Sequence, residues 1–431
     1  MFYTIYSEWM EVNFMTPLET DIVVLGAGIV GVCCALELQK SGHRVTLIDR
    51  DGIGEGCSKG NAGHFATEQI MPLATPGLMW KIPKMLLDPL GPVSIRWSYL
   101  HKISPWLIRF MLNTRSGPFS QGVEALRELN NASLPAWLKV LKGLGEQDQI
   151  KLDGSLLVFE SAKTVADYED THMFLNEQGI KTETLSGCQV LELEPKLSAN
   201  ICHGVLFPNT AHTTNPYRLV KVMAEHFVRQ GGKVLTQEVE QLKVNEQGIS
   251  VQLNGKQYQV PKIVLATGAW SKHWVQTLTR KTIPLDTERG YHLMLPKGDS
   301  SLTIPVTSAD RRFIMTPMDQ GLRLAGTVEF GGLKSAPNME RAHMLARHAH
   351  ALVPKIDSEA GKTWMGFRPS LPDSLPIIDK VGPKGQVILA FGHQHLGLTQ
   401  AAVTGELVNA LSKNHEHKVD ITPFRHDRFT F

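Results

Sequence analysis

The sequence predicts an α/β fold with two domains: one on a parallel sheet wound with helices, the other α+β on a mixed or antiparallel sheet and discontinuous in the chain. Three observations carry this expectation. An apolar strand, a glycine turn and a helical pattern follow one another within residues 21–49. Strand and helix patterns of the same kind return after residue 212 and again after residue 366. Between them the pattern changes to irregular helices and short alternating strands.

Residues 22–25 form a continuous apolar run, as expected of a strand covered on both faces. The run breaks at Gly26-Ala-Gly28-Ile29-Val30-Gly31, after which Val32, Ala35, Leu36 and Leu38 take helical spacing. Gly26 makes the turn, Gly28 leaves room for a pyrophosphate at the backbone, and Gly31 lets the helix lie close to its strand. The helix start then offers free N–H groups and a positive dipole end to phosphates. A second apolar strand over 45–48 ends in Asp49, where a carboxylate can accept hydrogen bonds from a ribose. Strand, turn, helix, strand and terminal acid in one register read as a Rossmann-like site for an adenine dinucleotide.

Composition narrows the partners. At 431 residues the chain has length for two domains and a large core. A formal net charge of +2, with 20% charged and 42% hydrophobic residues, gives no field that favours nucleic acid and points to a small molecule. Cys33, Cys34, Cys57, Cys188 and Cys202 are odd in number and lack C-x-x-C spacing, so neither a disulfide framework nor a zinc site is indicated. A reducing, cytoplasmic compartment fits. Residues 1–19 read as a loose extension, with Glu8, Glu11 and Glu19 and no apolar core of signal-peptide length; Met10 or Met15 would serve equally as a start. No apolar run approaches the roughly 20 residues of a membrane span. Residues 78–112 mix Trp80, Trp97 and Trp106 with Lys81, Lys84, Arg96, Lys102 and Arg109. Two readings are open for this stretch: a peripheral face on the inner membrane surface, or a pair of helices packed on the second domain and interrupted at Pro83, Pro89, Pro92 and Pro105.

Further along, residues 51–64 form a glycine-rich loop with little to bury, in which small residues let backbone N–H groups reach a ligand. Residues 155–159 read as a strand. Asn215 caps a helix from Pro216 through Phe227, which Gly231-Gly232 ends before a strand at 233–235. Strands at 250–253 and 257–260 flank the hairpin turn Asn254-Gly255. Residues 263–270 form a buried strand that ends in small residues, 284–330 are strand-rich, and the strand 387–391 feeds a glycine-rich helix start at Gly397. The organisation expected is an extension over 1–19 and a cofactor domain from 20–75, 212–272 and 366–415. A substrate domain from 76–211 and 273–365 and a tail over 416–431 complete it.

Several of these segments together carry a resemblance: the opening glycine motif, Ser58-x-x-Asn61-Ala62-Gly63, Ala266-Thr267-Gly268-Ala269-Trp270, Glu288-Arg-Gly-Tyr291-His292, Gly366-x-Arg368-Pro and Gly392-His393-x-His395-x-Gly397-Leu398-Thr399. They resemble the FAD-dependent D-amino acid oxidase superfamily from about residue 20 to 411. Within it the chain is most similar to bacterial D-amino acid dehydrogenases and the branch acting on D-proline and hydroxy-D-proline. The resemblance implies a glutathione-reductase-type FAD domain, noncovalent FAD, and oxidation of an amine carbon by hydride transfer from Cα to flavin N5, giving an imine. It implies cofactor contacts at Gly26, Gly28, Ile29, Val30, Gly31, Asp49, Arg50, Ser58, Asn61, Ala62, Gly63, His64, Val239, Thr267, Gly268, Trp270, Gly366, Gly392, His393, Gly397, Leu398 and Thr399.

On the substrate side, Arg368 matches an arginine that clamps the substrate carboxylate, for which a guanidinium fork is suited. Tyr291 matches a substrate-facing position, and His395 a position where relatives carry other residues. The helix from Gly397 would direct its positive end at the N1/C2 oxygen edge of the flavin. His393-x-His395 has no third ligand at a recognisable spacing, so no metal is expected. Three alternatives stay open: a nicotinamide-linked dehydrogenase, which shares the glycine fingerprint; a flavin-carrying electron-transfer subunit of a larger complex; and a glycine or sarcosine type of oxidase using oxygen. The expected partners are an amino acid and a quinone or other electron acceptor.

Overall fold

The computed structural model describes residues 16–78, 93–298, 302–357 and 360–429. Ile22–Leu25 lies inside a six-stranded sheet whose order is Lys233–Thr236, Val45–Asp49, Ile22–Leu25, Lys262–Leu265, Val387–Phe391 and Ile377–Val381. All neighbours are parallel except the last pair, which is antiparallel. Side-chain alternation divides the apolar strand residues between two cores. Ile22, Val24, Val45 and Leu47 join the core formed with the helices Ile29–Lys40, Pro216–Arg229 and Gly397–Lys413. Val23, Leu25, Ile48, Ile263 and Leu265 join Leu242, Ile249 and Val251 of a four-stranded sheet on the other side.

Local signals account for the element ends. The side chain of Asn215 accepts from the Arg218 amide and caps Pro216–Arg229, with proline in the first turn. Asn254 and Gly255 have φ of 49° and 72° between the strands Gly248–Leu253 and Lys256–Val260. That is the pair of positive φ values a two-residue hairpin turn requires. Thr16–Pro17 pairs in parallel with the edge of the four-stranded sheet, in register with Tyr258 and Gln259. An edge tolerates a proline, which has no N–H for a second neighbour.

The large sheet runs Lys362–Ser370, Asp286–Pro296, Gly321–Phe330, Phe313–Met318, Val306–Ser308, Ser155–Phe159, His203–Phe207 and Glu183–Ser186, with Val93–Ile95 beside Gly321–Phe330. One face packs on the helix Glu340–Leu352. The long helix Ser116–Leu144 reaches back to the first sheet. Its fully buried Trp137 meets Phe65 edge-on and donates its indole N–H to the carbonyls of Leu398 (2.9 Å) and Thr399 (3.0 Å).

Within the stretch 78–112, Trp80, Lys81, Pro83, Lys84, Pro89 and Pro92 lie outside the described residues. The helix Leu100–Leu112 buries Ile103 and Trp106 against Phe330, while Trp97 is 87% and Ile108 62% exposed. Among the described residues, no helix is long and apolar enough to cross a membrane.

Candidate active site

Two helix starts open on one cavity of about 420 Å³, which is lined by Gly28, Ile29 and Val30 at one and by Gly397 and Leu398 at the other. Neither helix carries a side-chain cap at its N-cap residue. Both therefore turn partial positive charge and N–H groups toward the same space. Gly26 sits at φ +104°, and a Cβ on Gly31 would lie 1.8 Å from the Gly26 carbonyl oxygen. The helix can approach its strand only because Gly31 has no side chain.

Asp49 closes this turn. One carboxylate oxygen accepts from the Ala27 amide at 2.8 Å, and the other from the amides of Asp51 and Gly52. The Ser58 hydroxyl accepts from Ile29 N at 2.9 Å, which places the loop 51–63 against the helix start. At one end of the cavity the Arg50 guanidinium lies 4.4 Å over the Trp270 ring, and Trp270 meets Phe367 edge-on.

The fold brings to this cavity Gly26, Gly28, Ile29, Val30, Asp49, Arg50, Ser58, Asn61, Val239, Thr267, Gly268, Trp270, Gly392, His393, Gly397 and Leu398. Gly31, Ala62, Gly63, His64, Gly366 and Thr399 do not line it. Gly63, at φ +76°, packs under the Thr213 carbonyl, and the Thr399 hydroxyl accepts from the Ala66 amide at 2.9 Å, so both shape the wall from behind. Gly366, expected as a cofactor contact, stands behind the cavity wall. A Cβ there would lie 2.1 Å from the Trp364 ring, and one on Gly60 would lie 2.3 Å from that ring; both glycines make room for Trp364. His393 is buried, bonds to the Thr404 hydroxyl at 2.9 Å, and is pushed by burial down to about 3, so its ring is neutral.

Strand register fixes the substrate-side residues. Glu288 pairs with Arg368, Gly290 with Gly366 and His292 with Trp364, so these six share one face. The Arg368 guanidinium lies flat over Gly290, where a Cβ would be 2.4 Å from its Cζ. It is half-buried, and among the described residues no carboxylate stands within ion-pair distance of it. Glu288 is fully buried, its carboxyl raised by burial and satisfied by the Ser370 hydroxyl at 2.6 Å. Gln394, in the left-handed region at φ 48°, donates to the Leu371 carbonyl and the Ser370 hydroxyl. His292 stacks on Trp364; its Nδ1 donates to the Gly60 carbonyl at 3.0 Å, an atom that can only accept.

Tyr291 is corrected as a substrate-facing residue. It projects from the opposite face of the strand, donates its hydroxyl to Glu329 at 2.7 Å and accepts from the Asn338 amide. Arg289 on the same face bonds Glu329 and the carbonyls of Gly332, Ser335 and Ala336. The pair fastens the 331–338 loop.

The two histidines of His393-x-His395 diverge. His395 lines a second cavity of about 340 Å³ together with Glu68, Tyr168 and apolar side chains such as Leu156, Leu157 and Phe207. Burial and then the Arg368 charge hold His395 down at about 4. Glu68 went unread in the sequence, as did Trp364, Ser370 and Gln394. Only the invariable cost of burying a carboxyl makes Glu68 conspicuous, and burial is not visible until the chain is folded.

The cavity is suited to a dinucleotide on its own geometry, with two helix starts whose N-cap residues make no side-chain cap, a glycine turn that side chains would fill, and an acid at the second strand end. Comparison with known proteins agrees. The chain is 34% identical to a D-amino-acid oxidase of Bradyrhizobium diazoefficiens over 96% of this chain and all of the relative. It is 28% identical to a D-amino acid dehydrogenase of Vibrio vulnificus over 94% and 99%. Among solved structures it superposes on glycine oxidase from Geobacillus kaustophilus with TM-score 0.74 at 20% identity, covering 96% and 99% of the two chains. L-proline dehydrogenase from P. horikoshii gives 0.72 at 20% identity, covering 96% and 98%. Residues 21–411 match the family described as FAD dependent oxidoreductase, and the chain belongs to that family.

Proposed function

We propose that the protein oxidises the amine carbon of a D-amino acid or cyclic secondary amino acid, with D-proline or 4-hydroxy-D-proline as the cyclic type, using noncovalently held FAD. The observation that carries this reading is Arg368. Arg368 is a half-buried guanidinium with no carboxylate in ion-pair distance among the described residues, its cross-strand neighbour Glu288 being bonded to Ser370; seated over a glycine that keeps its plane free, it is open to an anion from outside, and a carboxylate meets its fork at two points. The full-length relatives named for D-amino acid oxidation and dehydrogenation supply the substrate class.

When bound, FAD supplies the acceptor for the hydride that leaves Cα. Gly26 and Gly28 would hold its pyrophosphate at the helix start that Gly31 brings close to the strand, Asp49 its ribose, and the helix start at Gly397 and Leu398 the edge of the flavin where negative charge gathers. Arg368 orients the substrate, and neutral His395 walls the site beside it. The chemistry asks these side chains mainly for position. In this reading segments 20–75, 212–272 and 366–415 form the cofactor domain and 76–211 with 273–365 the substrate domain; the six-stranded sheet draws all its strands from the first set.

The test compares wild type with Arg368→Lys on an amino acid and on its decarboxylated amine. Affinity for the amino acid should fall by roughly 1.5 to 3 kcal/mol, as for loss of a hydrogen bond to a charged group, with a much smaller change for the amine. Equal losses on both would show that Arg368 supports structure or cofactor instead.

For the electron acceptor, we infer a quinone reached at the inner membrane surface. Trp97, Ile108 and Leu112 are exposed apolar side chains on and beside the helix Leu100–Leu112, with Lys102 exposed among them. Such a face suits the interfacial zone of a bilayer. Co-sedimentation with anionic vesicles, weakened by Trp97→Ser and Ile108→Ser, is expected. No co-sedimentation at low salt, with brisk peroxide formation, would favour oxygen as acceptor.

A further inference from the structure

The second cavity holds a group that the proposed reaction has not used. Glu68 lies in its wall, 9% exposed, and its Oε2 has no hydrogen-bond partner. Around it stand groups equally short of partners. His64 Nε2 is 3.8 Å away, beyond hydrogen-bond distance, and both ring nitrogens of His212, paired with His64 across the strands His64–Phe65 and Ala211–His212, are buried without a bond. A buried carboxyl oxygen left without a partner at the wall of a cavity is open to a ligand that completes it.

The segment bearing Glu68 is held in place by buried hydrogen bonds to the helix Gly397–Lys413. Ala66 N bonds Thr399 Oγ1 at 2.9 Å. The Gln69 carbonyl accepts from Asn130, whose side-chain oxygen accepts from Gln400. The same helix start borders the cofactor cavity, and His395, just before it, joins the second cavity to the neighbourhood of Arg368. Glu68 is thus placed on the amino-acid side of the helix start rather than on the nucleotide side.

An amino acid in water carries an ammonium group, whose nitrogen has no free electron pair. Loss of hydride from Cα leaves a cation that only a nitrogen lone pair can stabilise, so one proton must leave the nitrogen first. We propose that Glu68 accepts that proton. The N–H bond breaks, its electron pair stays on nitrogen, and the proton forms an O–H bond on the carboxylate; ammonium and carboxylate become neutral amine and carboxylic acid. The inference rests on the amino-acid reading above.

The surroundings support it. Near Glu68 are His64, with His212 behind it on the paired strand, Tyr168 from the helix Ala162–Glu177, the neighbouring Gln69, and His395 in the same cavity wall with Arg368 beyond. Burial holds His64 at about 3 and His212 at about 4, and pushes the Tyr168 phenol up, so all three are uncharged near neutrality. Burial lifts Glu68 to about 8, within reach of an ammonium proton at working pH. No neighbouring imidazolium competes for its charge.

The test follows anaerobic flavin reduction by a neutral D-amino acid across pH in wild type, Glu68→Gln and Glu68→Asp, all as FAD-loaded protein. Binding of a simple carboxylate that lacks an amine, read by the flavin spectrum, reports on folding and on Arg368. Wild-type kcat/KM should rise with pH through about 8. Glu68→Gln should be slower by roughly 10²-fold or more near neutrality, with the gap closing as pH passes the ionisation of the free substrate; Glu68→Asp should recover part of the loss, and carboxylate binding should be unchanged in both. Superimposable profiles would overturn the proposal. A loss confined to substrates with cationic side chains would also overturn it, and would place Glu68 against the side chain. If wild-type flavin is reduced by no amino acid, the reading of the substrate fails and takes this proposal with it.

Discussion

Replacing Gly290 by Ala perturbs Arg368 without touching it in sequence. The added Cβ would stand 2.4 Å from Cζ, 2.5 Å from Nη2 and 2.7 Å from Nε of the guanidinium. Carbon atoms rest at roughly 3.5 to 4.0 Å from one another, so the guanidinium must lift by about 1 Å or more. The atoms that clash are the end of a long side chain, so backbone and cofactor site should stay as they are. A misplacement of about 1 Å in an orienting group costs on the order of 10²-fold, or about 2.7 kcal/mol of transition-state stabilisation. Rapid-mixing reduction of the bound flavin gives kcat/KM for an amino acid and for its decarboxylated amine, with flavin content and melting temperature as controls. The amino acid should lose about 10²-fold and the amine far less. A variant that keeps wild-type kcat/KM on the amino acid would refute the assignment of Arg368 as the carboxylate clamp.

Gly28→Val should yield folded protein with little FAD, because its Cβ already lies 3.3 Å from Ser58 Oγ and the two methyls fill the helix start; a full flavin-to-protein absorbance ratio would count against the fingerprint. Trp137→Phe removes a donor shared by the Leu398 and Thr399 carbonyls, and urea unfolding should show a loss of roughly 1 to 3 kcal/mol; no change would mean that this bond does not hold the helix start. Glu406 is held at about 2 by His417, 3.7 Å away, and by the Lys139 ammonium that donates to it at 2.5 Å, against burial. Its folded value lies below its ordinary 4.5, so its stabilisation is full above that value and fades as pH falls through about 2. Glu406→Gln should therefore melt lower than wild type at pH 6, with the gap narrowing between pH 4.5 and 2; a gap independent of pH would exclude the ionic origin.

Much of the fold was legible because its signals are local. The glycine turn, the Asn215 cap and the Asn254-Gly255 hairpin each concern a few residues whose backbone conformation the side chains dictate. Tyr291 was misread for a physical reason. Asp286–Pro296 is buried from Thr287 to Leu295, so no polar alternation reveals which parity faces Arg368, and only the pairing with Lys362–Ser370 settles it. What Gly366 makes room for is Trp364, two residues earlier, a packing demand that its place in a glycine motif does not reveal. Glu68 carries no signal of spacing at all. It is brought to the cavity by hydrogen bonds to residues more than three hundred positions away, such as Ala66 to Thr399.

The most direct test of the central claim is an anaerobic titration of the purified, FAD-loaded protein with each enantiomer of a small amino acid and of proline. A D-enantiomer should bleach the oxidised flavin band in proportion to its concentration, with the imine or its keto product formed in equal amount and the L-enantiomer inert. A flavin that no D-amino acid bleaches, or that only the L-form reduces, would contradict the account.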